Sequence, residues 1–147
     1  MKIQTLKESD LQAVRNLTAS SQGLAPDRDS IYWLFSEFFE NTSFVVYSEE
    51  RLVGFLLGFL NQTKPKQGYV YSIGVAEGHR RNGIGKLLIE SFQESIHSLG
   101  ANVIYLTTTP DNQKALVFYE HMGFEQPVEF MKFGQRRLKL FKSVKVR

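Results

Sequence analysis

The period of the apolar positions changes several times along the chain, and each change marks a predicted element. Residues 2–6 read as a short strand. Ser9, with Gln12 three positions on, has the form of a capping box, and Leu11, Val14 and Leu17 follow at helical spacing. A loop over residues 20–26 ends that helix. Asp29 or Ser30 caps a second one, whose stripe is Ile31, Leu34, Phe35, Phe38 and Phe39. Residues 44–47 and 52–60 then read as strands joined by a turn at Ser48-Glu49-Glu50. The second is almost wholly apolar, which predicts a strand covered on both faces.

After a polar loop at 61–68, residues 69–75 form the next strand. Residues 78–85 are a loop leading into a long helix with a buried face of Ile84, Leu87, Leu88, Phe92, Ile96 and Leu99. Gly100 stands where a C-terminal cap glycine belongs. Residues 103–107 are a strand. Pro110-Asp111-Asn112 opens another helix, with Ala115, Phe118, Tyr119 and Met122 facing inward and Gly123 closing it. A turn near Gly134-Gln135 makes the remainder a terminal hairpin ending in a strand at 138–144. The order β-α-α-β-β-β-α-β-α-β-β predicts one α/β domain over residues 1–147 with a mixed sheet.

Composition narrows the function classes. Of 147 residues, 42% are hydrophobic and 22% charged, which suits a soluble globular domain. There is no cysteine, so thiolate metal sites and cysteine nucleophiles are excluded. The first residues hold no long apolar run, and no stretch reaches spanning length, so a cytoplasmic address and no membrane partner are expected. His79, His97 and His121 lie on separate predicted elements, and no metal is expected. The net charge is +3, with much of it in residues 80–86 and 132–147. That suffices for a small polyanion, and no aromatic–basic nucleic-acid motif accompanies it, so no nucleic-acid partner is expected.

The chemistry concentrates where the 69–75 strand runs into the long helix, at Arg80-Arg81-Asn82-Gly83-Ile84-Gly85-Lys86. Glycines let backbone approach a ligand, and a helix's first turn offers unpaired N–H groups and the positive end of its dipole. Together with Arg80, Arg81 and Lys86 these would cradle phosphate. Ile84-Gly85 stands where a Walker loop needs Gly-Lys-Ser/Thr, and Leu88 where a dinucleotide fingerprint needs glycine. On spacing alone, a glycine-rich loop with solvated charges remains a second reading.

Two motifs in order then resemble the GCN5-related N-acetyltransferase (GNAT) family. Arg80-Arg81-Asn82-Gly83-Ile84-Gly85 fits its cofactor motif, Gln/Arg-x-x-Gly-x-Gly/Ala. Asn112, Ala115, Phe118, Tyr119, Gly123 and Phe124 fit its Asn-x-x-Ala-x-x-Phe-Tyr-x-x-x-Gly-Phe motif. The resemblance implies a splayed mixed sheet of about seven strands flanked by about four helices. It implies that acetyl-CoA enters between the strands at 69–75 and 103–107. Ile73 and Val75 would bind the pantetheine, and Gly74 would form the bulge that opens the sheet. Arg80, Arg81, Gly83, Ile84, Gly85 and Lys86 would hold the pyrophosphate, and Asn112 would sit beside the pantetheine or the thioester.

The resemblance also assigns catalytic roles. The Val75 N–H would donate to the oxyanion, and Tyr119, a phenol with pKa near ~10, would protonate the departing sulfur. Spacing alone leaves Tyr119 equally a core tyrosine. Relatives often carry a carboxylate base on the 69–75 strand; here that strand has none. Glu37, Glu40, Asp29, Glu77, His79, water moved through Tyr71 or Ser72, or an amine that arrives already partly deprotonated, stand as the alternatives. The acceptor pocket is expected at Tyr32, Trp33 and Tyr71, with Phe35, Phe38, Tyr69 and Phe130 supplied by the same elements. Residues 30–58 are also similar to ectoine-pathway diaminobutyrate acetyltransferases, in Tyr32, Leu34, Phe39, Thr42-Ser43 and Val53-Gly54-Phe55 before Gly58. The implied reaction is acetyl transfer to the primary amine of a small molecule or amino acid. Acetylation of a protein N-terminus or lysine, or a non-catalytic acyl-CoA sensor, are the alternatives. Apolar edge strands in the terminal hairpin permit a homodimer.

Overall fold

The computed structural model describes residues 1–20, 25–80 and 82–144. These fold as β1 (Lys2–Thr5), α1 (Leu11–Ser20), α2 (Asp29–Phe38), β2 (Phe44–Ser48), β3 (Arg51–Leu60), β4 (Gln67–Val75), α3 (Ile84–Ser98), β5 (Val103–Thr108), α4 (Gln113–His121), β6 (Glu125–Lys132) and β7 (Gln135–Ser143). This is the element order predicted from periodicity. The strands make one seven-stranded sheet in the order β1-β2-β3-β4-β5-β7-β6. Every neighbouring pair is antiparallel except β4 and β5, which are parallel.

Helices cover both faces, which is why β3 is apolar on both. Val53 and Leu56 join the core under α3, with Leu88, Phe92 and Ile96. Phe55 and Leu57 join the core under α1 and α2, with Val14, Tyr32 and Phe35. The long helix lies unusually close to the sheet because β3 has no side chain where they touch. A Cβ on Gly54 would stand 2.6 Å from Ile84 Cγ2, and one on Gly58 2.6 Å from Phe92 Cε1.

Four local readings change. The first helix opens with a 3₁₀ turn at Glu8–Asp10, and Asp10, not Ser9, closes it by accepting the Lys7 N–H at 2.8 Å. Asp10 is buried and also accepts the Tyr47 hydroxyl, a tertiary bond that local spacing does not reveal. Leu99 caps α3 and is 54% exposed, because the helix has turned past the sheet by that point. Phe38 and Leu34 of the α2 stripe are likewise exposed. Gly74 is not the bulge: it pairs in register with Phe55, and the irregularity falls at Tyr71, between the pairs Leu57–Ser72 and Gly58–Val70.

Candidate functional site

The bulge at Tyr71 organises the site. An extra residue in one strand reverses the side-chain alternation beyond it and bends the strand. Val70, Ile73 and Val75 therefore all reach the same core, which strict alternation forbids. The bend also parts β4 from β5. They pair only over Gln67–Val103, Gly68–Ile104 and Tyr69–Tyr105, then diverge into a V. The Ala76 N–H bonds the Val53 carbonyl at 2.8 Å. Antiparallel pairs alternate, so the backbone groups of Ile73 and Val75 point the other way, into the V. The Val75 carbonyl there accepts the Arg80 Nε at 3.4 Å.

At the wide end of the V lies the predicted anion turn. Gly83 adopts φ +79°, a left-handed conformation suited to glycine, and nothing stands within 4 Å of its Cβ position. The first bond of α3 runs from the Leu87 N–H to the Gly83 carbonyl at 2.9 Å. The amides of Ile84, Gly85 and Lys86 are thus first-turn donors without an intrahelical acceptor. Arg80 and Lys86 are exposed beside them, Lys86 within 3.9 Å of Glu90. Gly85 has a different reason for its size: a Cβ there would meet the Phe118 ring at 2.9 Å, so it admits α4 rather than a ligand. Arg81 lies outside the described residues.

Helix α4 closes the same side. Asn112 is its N-cap, accepting the Ala115 N–H on Oδ1 at 3.2 Å. Tyr119 is half-buried between Phe118 and Phe124. Burial pushes its phenol up to about 12, and the Tyr69 phenol adds to the rise. Tyr69 belongs to the opposite side of the sheet, where it packs on Phe59 and Tyr105. Tyr69 is also the last β4 residue paired with β5, which puts it at the narrow end of the V.

On that opposite side a cavity of about 480 Å³ opens beside Tyr69 and Tyr105. Phe59 and Phe130 wall it, and Thr107, Arg137 and Lys139 enter from β5 and β7. Of the side chains predicted for an acceptor pocket, Tyr69 and Phe130 line this cavity, whereas Tyr32, Trp33 and Tyr71 do not. Tyr32 is 2% exposed and its hydroxyl accepts the Asp27 N–H at 2.9 Å, a core position. Trp33 lies on the surface, edge-on to Phe38. Tyr71 stands next to the cavity, against Tyr69 and Phe35.

Tyr71 identifies a residue that sequence reasoning missed. Its hydroxyl donates to Asp27 Oδ1 at 3.0 Å across 44 positions of chain. Burial and then the Asp27 bond push the Tyr71 phenol up to about 12. The carboxylates considered from sequence lie elsewhere: Asp29 pairs with Arg15, and Glu40 pairs with Lys7 at 2.9 Å. Glu37 and Glu77 are exposed. No local signal marks Asp27, which sits in an irregular segment before α2. The Nδ1 of His79, in the 3₁₀ turn after β4, is buried without a hydrogen-bond partner among the described residues. Among the described residues no cluster of three or more His, Asp or Glu is placed to hold a metal ion, and no helix is long and apolar enough to cross a membrane.

Comparison with known proteins agrees with this geometry. An L-2,4-diaminobutyric acid acetyltransferase of Nocardia farcinica is 24% identical over 110 residues, covering 75% of this chain and 57% of that protein. An N-alpha-acetyltransferase of Sulfurisphaera tokodaii is 31% identical over 108 residues, covering 65% of each. The chain thus spans less than two thirds of the length of either relative. The solved structure of a diaminobutyrate acetyltransferase from Paenibacillus lautus, in complex with L-2,4-diaminobutyric acid and coenzyme A, superposes with a TM-score of 0.78. It is 20% identical and covers 99% of this chain and 96% of that one, a likeness of fold. Residues 11–124 match the model of the Acetyltransferase (GNAT) family. With that match extending from the first helix through the anion turn to Phe124, the chain belongs to the GNAT acetyltransferase family.

Proposed function

We propose that this protein transfers an acetyl group from acetyl-CoA to the primary amine of a small molecule or amino acid, by direct attack through a tetrahedral intermediate. The observation that carries the reading is the V between β4 and β5. It has unpaired helix amides at one end and Tyr69 beside a second-side cavity at the other, with the Tyr119 phenol under the influence of Tyr69. The first-turn amides of α3, with Arg80 and Lys86, suit the pyrophosphate. Ile73, Val75 and the Asn112 side chain suit the amide-rich pantetheine arm.

The reacting end is assigned to the narrow end of the V beside Tyr69, whose phenol influences that of Tyr119. That placement moves the oxyanion donor. Val75 is six residues from Tyr69, roughly 20 Å at strand rise, whereas Ile73 is about 7 Å nearer. Both amides face the V, so the Ile73 N–H takes the oxyanion role and Val75 stays with the pantetheine. Tyr119, holding its proton at neutral pH, donates to the sulfur as charge develops there. On the acceptor side, Asp27 Oδ2 stays available to an ammonium group while Oδ1 holds the Tyr71 hydroxyl. The pair gives the amine an anchor and its proton a way out.

Acceptance of small amines is favoured by the size of the partly open cavity and by diaminobutyrate acetyltransferases among the relatives. Acetylation of protein N-termini is the second reading, and the relative from Sulfurisphaera tokodaii favours it. The test is thiol release from acetyl-CoA over a panel of diamines, amino acids and N-terminal peptides. Turnover with small amines supports the reading. Turnover confined to peptides selects the second, and no turnover with any amine sinks both.

A further inference from the structure

The acceptor cavity is electrically one-sided. Arg137, Lys139 and Lys132 line it, and no Asp or Glu does. Arg137 is held in place by donating from Nη2 to the neutral Thr107 hydroxyl at 3.1 Å. Lys139 lies over two rings, its Nζ 5.2 Å from the Tyr105 centroid and 5.5 Å from that of Phe130. The neighbouring Arg136 shows the contrast. It alternates to the outer face and pairs through Nε and Nη2 with both oxygens of Glu129, at 2.6 and 3.0 Å. The hairpin thus neutralises its outward arginine and leaves its inward one, with a lysine two residues on, without a carboxylate among the described residues. Cations gathered in a partly enclosed site repel each other and lose hydration, so the arrangement calls for an anion from outside.

We infer that the acceptor is an amino acid whose carboxylate binds between Arg137 and Lys139, leaving its free amine directed at the V. The inference rests on the acetyltransferase reading and names its substrate class. A planar guanidinium matches a carboxylate with two parallel N–H bonds, and the nearby ammonium adds a point charge. The aromatic strip from Tyr71 through Tyr69 to Tyr105 separates this positive end from the Asp27 carboxylate. The site thereby has opposite charges at its two ends, as an amino acid bearing a second amine has.

Two acceptors that differ only in the carboxylate, 2,4-diaminobutyric acid and 1,3-diaminopropane, provide the test. The intact chain should favour the acid in kcat/KM by about 10-fold or more. Arg137→Gln and Lys139→Gln should each raise KM for the acid, with a far smaller change in kcat, and bring the two acceptors toward equal kcat/KM. Arg137→Lys should recover part of the preference. Equal use of the two acceptors by the intact chain, or a preference untouched by both glutamine variants, overturns the inference while leaving the acetyltransferase reading standing. Calorimetric binding of diaminobutyric acid to the CoA-loaded protein needs no turnover and separates the failures. Binding that Arg137→Gln weakens supports the carboxylate site even if no acetylation occurs. No binding of diaminobutyric acid, or acetylation of peptide N-termini with none of the free amino acid, overturns it.

Discussion

Removing the Tyr119 hydroxyl tests the proposed chemistry most directly, and the structure sets the size of the effect. The phenol sits at about 12 because burial disfavours phenolate, with Tyr69 adding to the rise. A free thiol titrates near ~8.5, so complete transfer of the phenolic proton to a thiolate is uphill by about 3–4 pH units, roughly 5 kcal/mol. In the proposed reaction Tyr119 would therefore serve as a hydrogen-bond donor to developing sulfur charge rather than as a strong acid. A hydrogen bond to a charged group contributes about 1.5–3 kcal/mol, so Tyr119→Phe should lower kcat by about 10- to 150-fold. The hydroxyl has no hydrogen-bond partner among the described residues, so the melting temperature should hardly move. Its role appears only as the sulfur leaves, so KM for the amine should change little. The assay is thiol release at saturating acetyl-CoA and amine, beside a thermal melt of the same preparation. Unchanged kcat in a folded variant, or a loss confined to KM, would refute the reasoning. Because the phenol keeps its proton well past neutrality, the intact enzyme should show no loss of kcat from this group below pH ~10.

Other consequences are independent of one another. Gly58→Ala would place a Cβ 2.6 Å from Phe92 Cε1 and 2.9 Å from the Tyr69 carbonyl, and should cost about 1–3 kcal/mol in denaturant unfolding. Asn112→Ala removes the α4 cap and should cost about 1 kcal/mol, together with weaker CoA binding by calorimetry. Glu49 and Glu50 form the two-residue β2–β3 turn with φ of +50° and +68°, so Glu49→Asn with Glu50→Gly should raise the unfolding free energy by about 1 kcal/mol. Tyr47, Tyr71 and Tyr119 are each pushed up to about 12, in every case by burial first. The unfolded chain releases these protons near pH ~10 while the folded one retains them, so their contribution is complete below that pH and is lost as pH rises through 12. Phenolate absorbance measured on the folded and the denaturant-unfolded protein should show this separation; coincident titrations would contradict it.

The sequence by itself determined the element order, the anion turn and the second motif around α4. Each is a local property. Helical and strand periods are written within about ten residues, and a glycine at a helix start and an asparagine cap act on their own neighbours. The same locality limits what could be read of the acceptor side. Tyr32 and Trp33 looked like pocket residues because they flank an apolar stripe. Which side of a short helix faces a pocket depends on what packs against it, and here Tyr32 went into the core and Trp33 to the surface. The bulge was expected at Gly74 from the family resemblance, but register against β3 put it at Tyr71. That difference sets where β4 bends away from β5 and opens the V.

Only tertiary structure could bring Asp27 to Tyr71 across 44 residues, or set Arg137 and Lys139 of a terminal hairpin against Tyr105 of the central sheet. Charge is visible in a sequence, but its neutralisation is not. Arg136 and Arg137 are adjacent and chemically identical, and strand alternation alone sends one to Glu129 and the other into the cavity. The proposed cofactor half of the site was legible because its turn and first-turn amides are contiguous backbone. The acceptor half was not, because it is assembled from side chains that meet only when the sheet has formed.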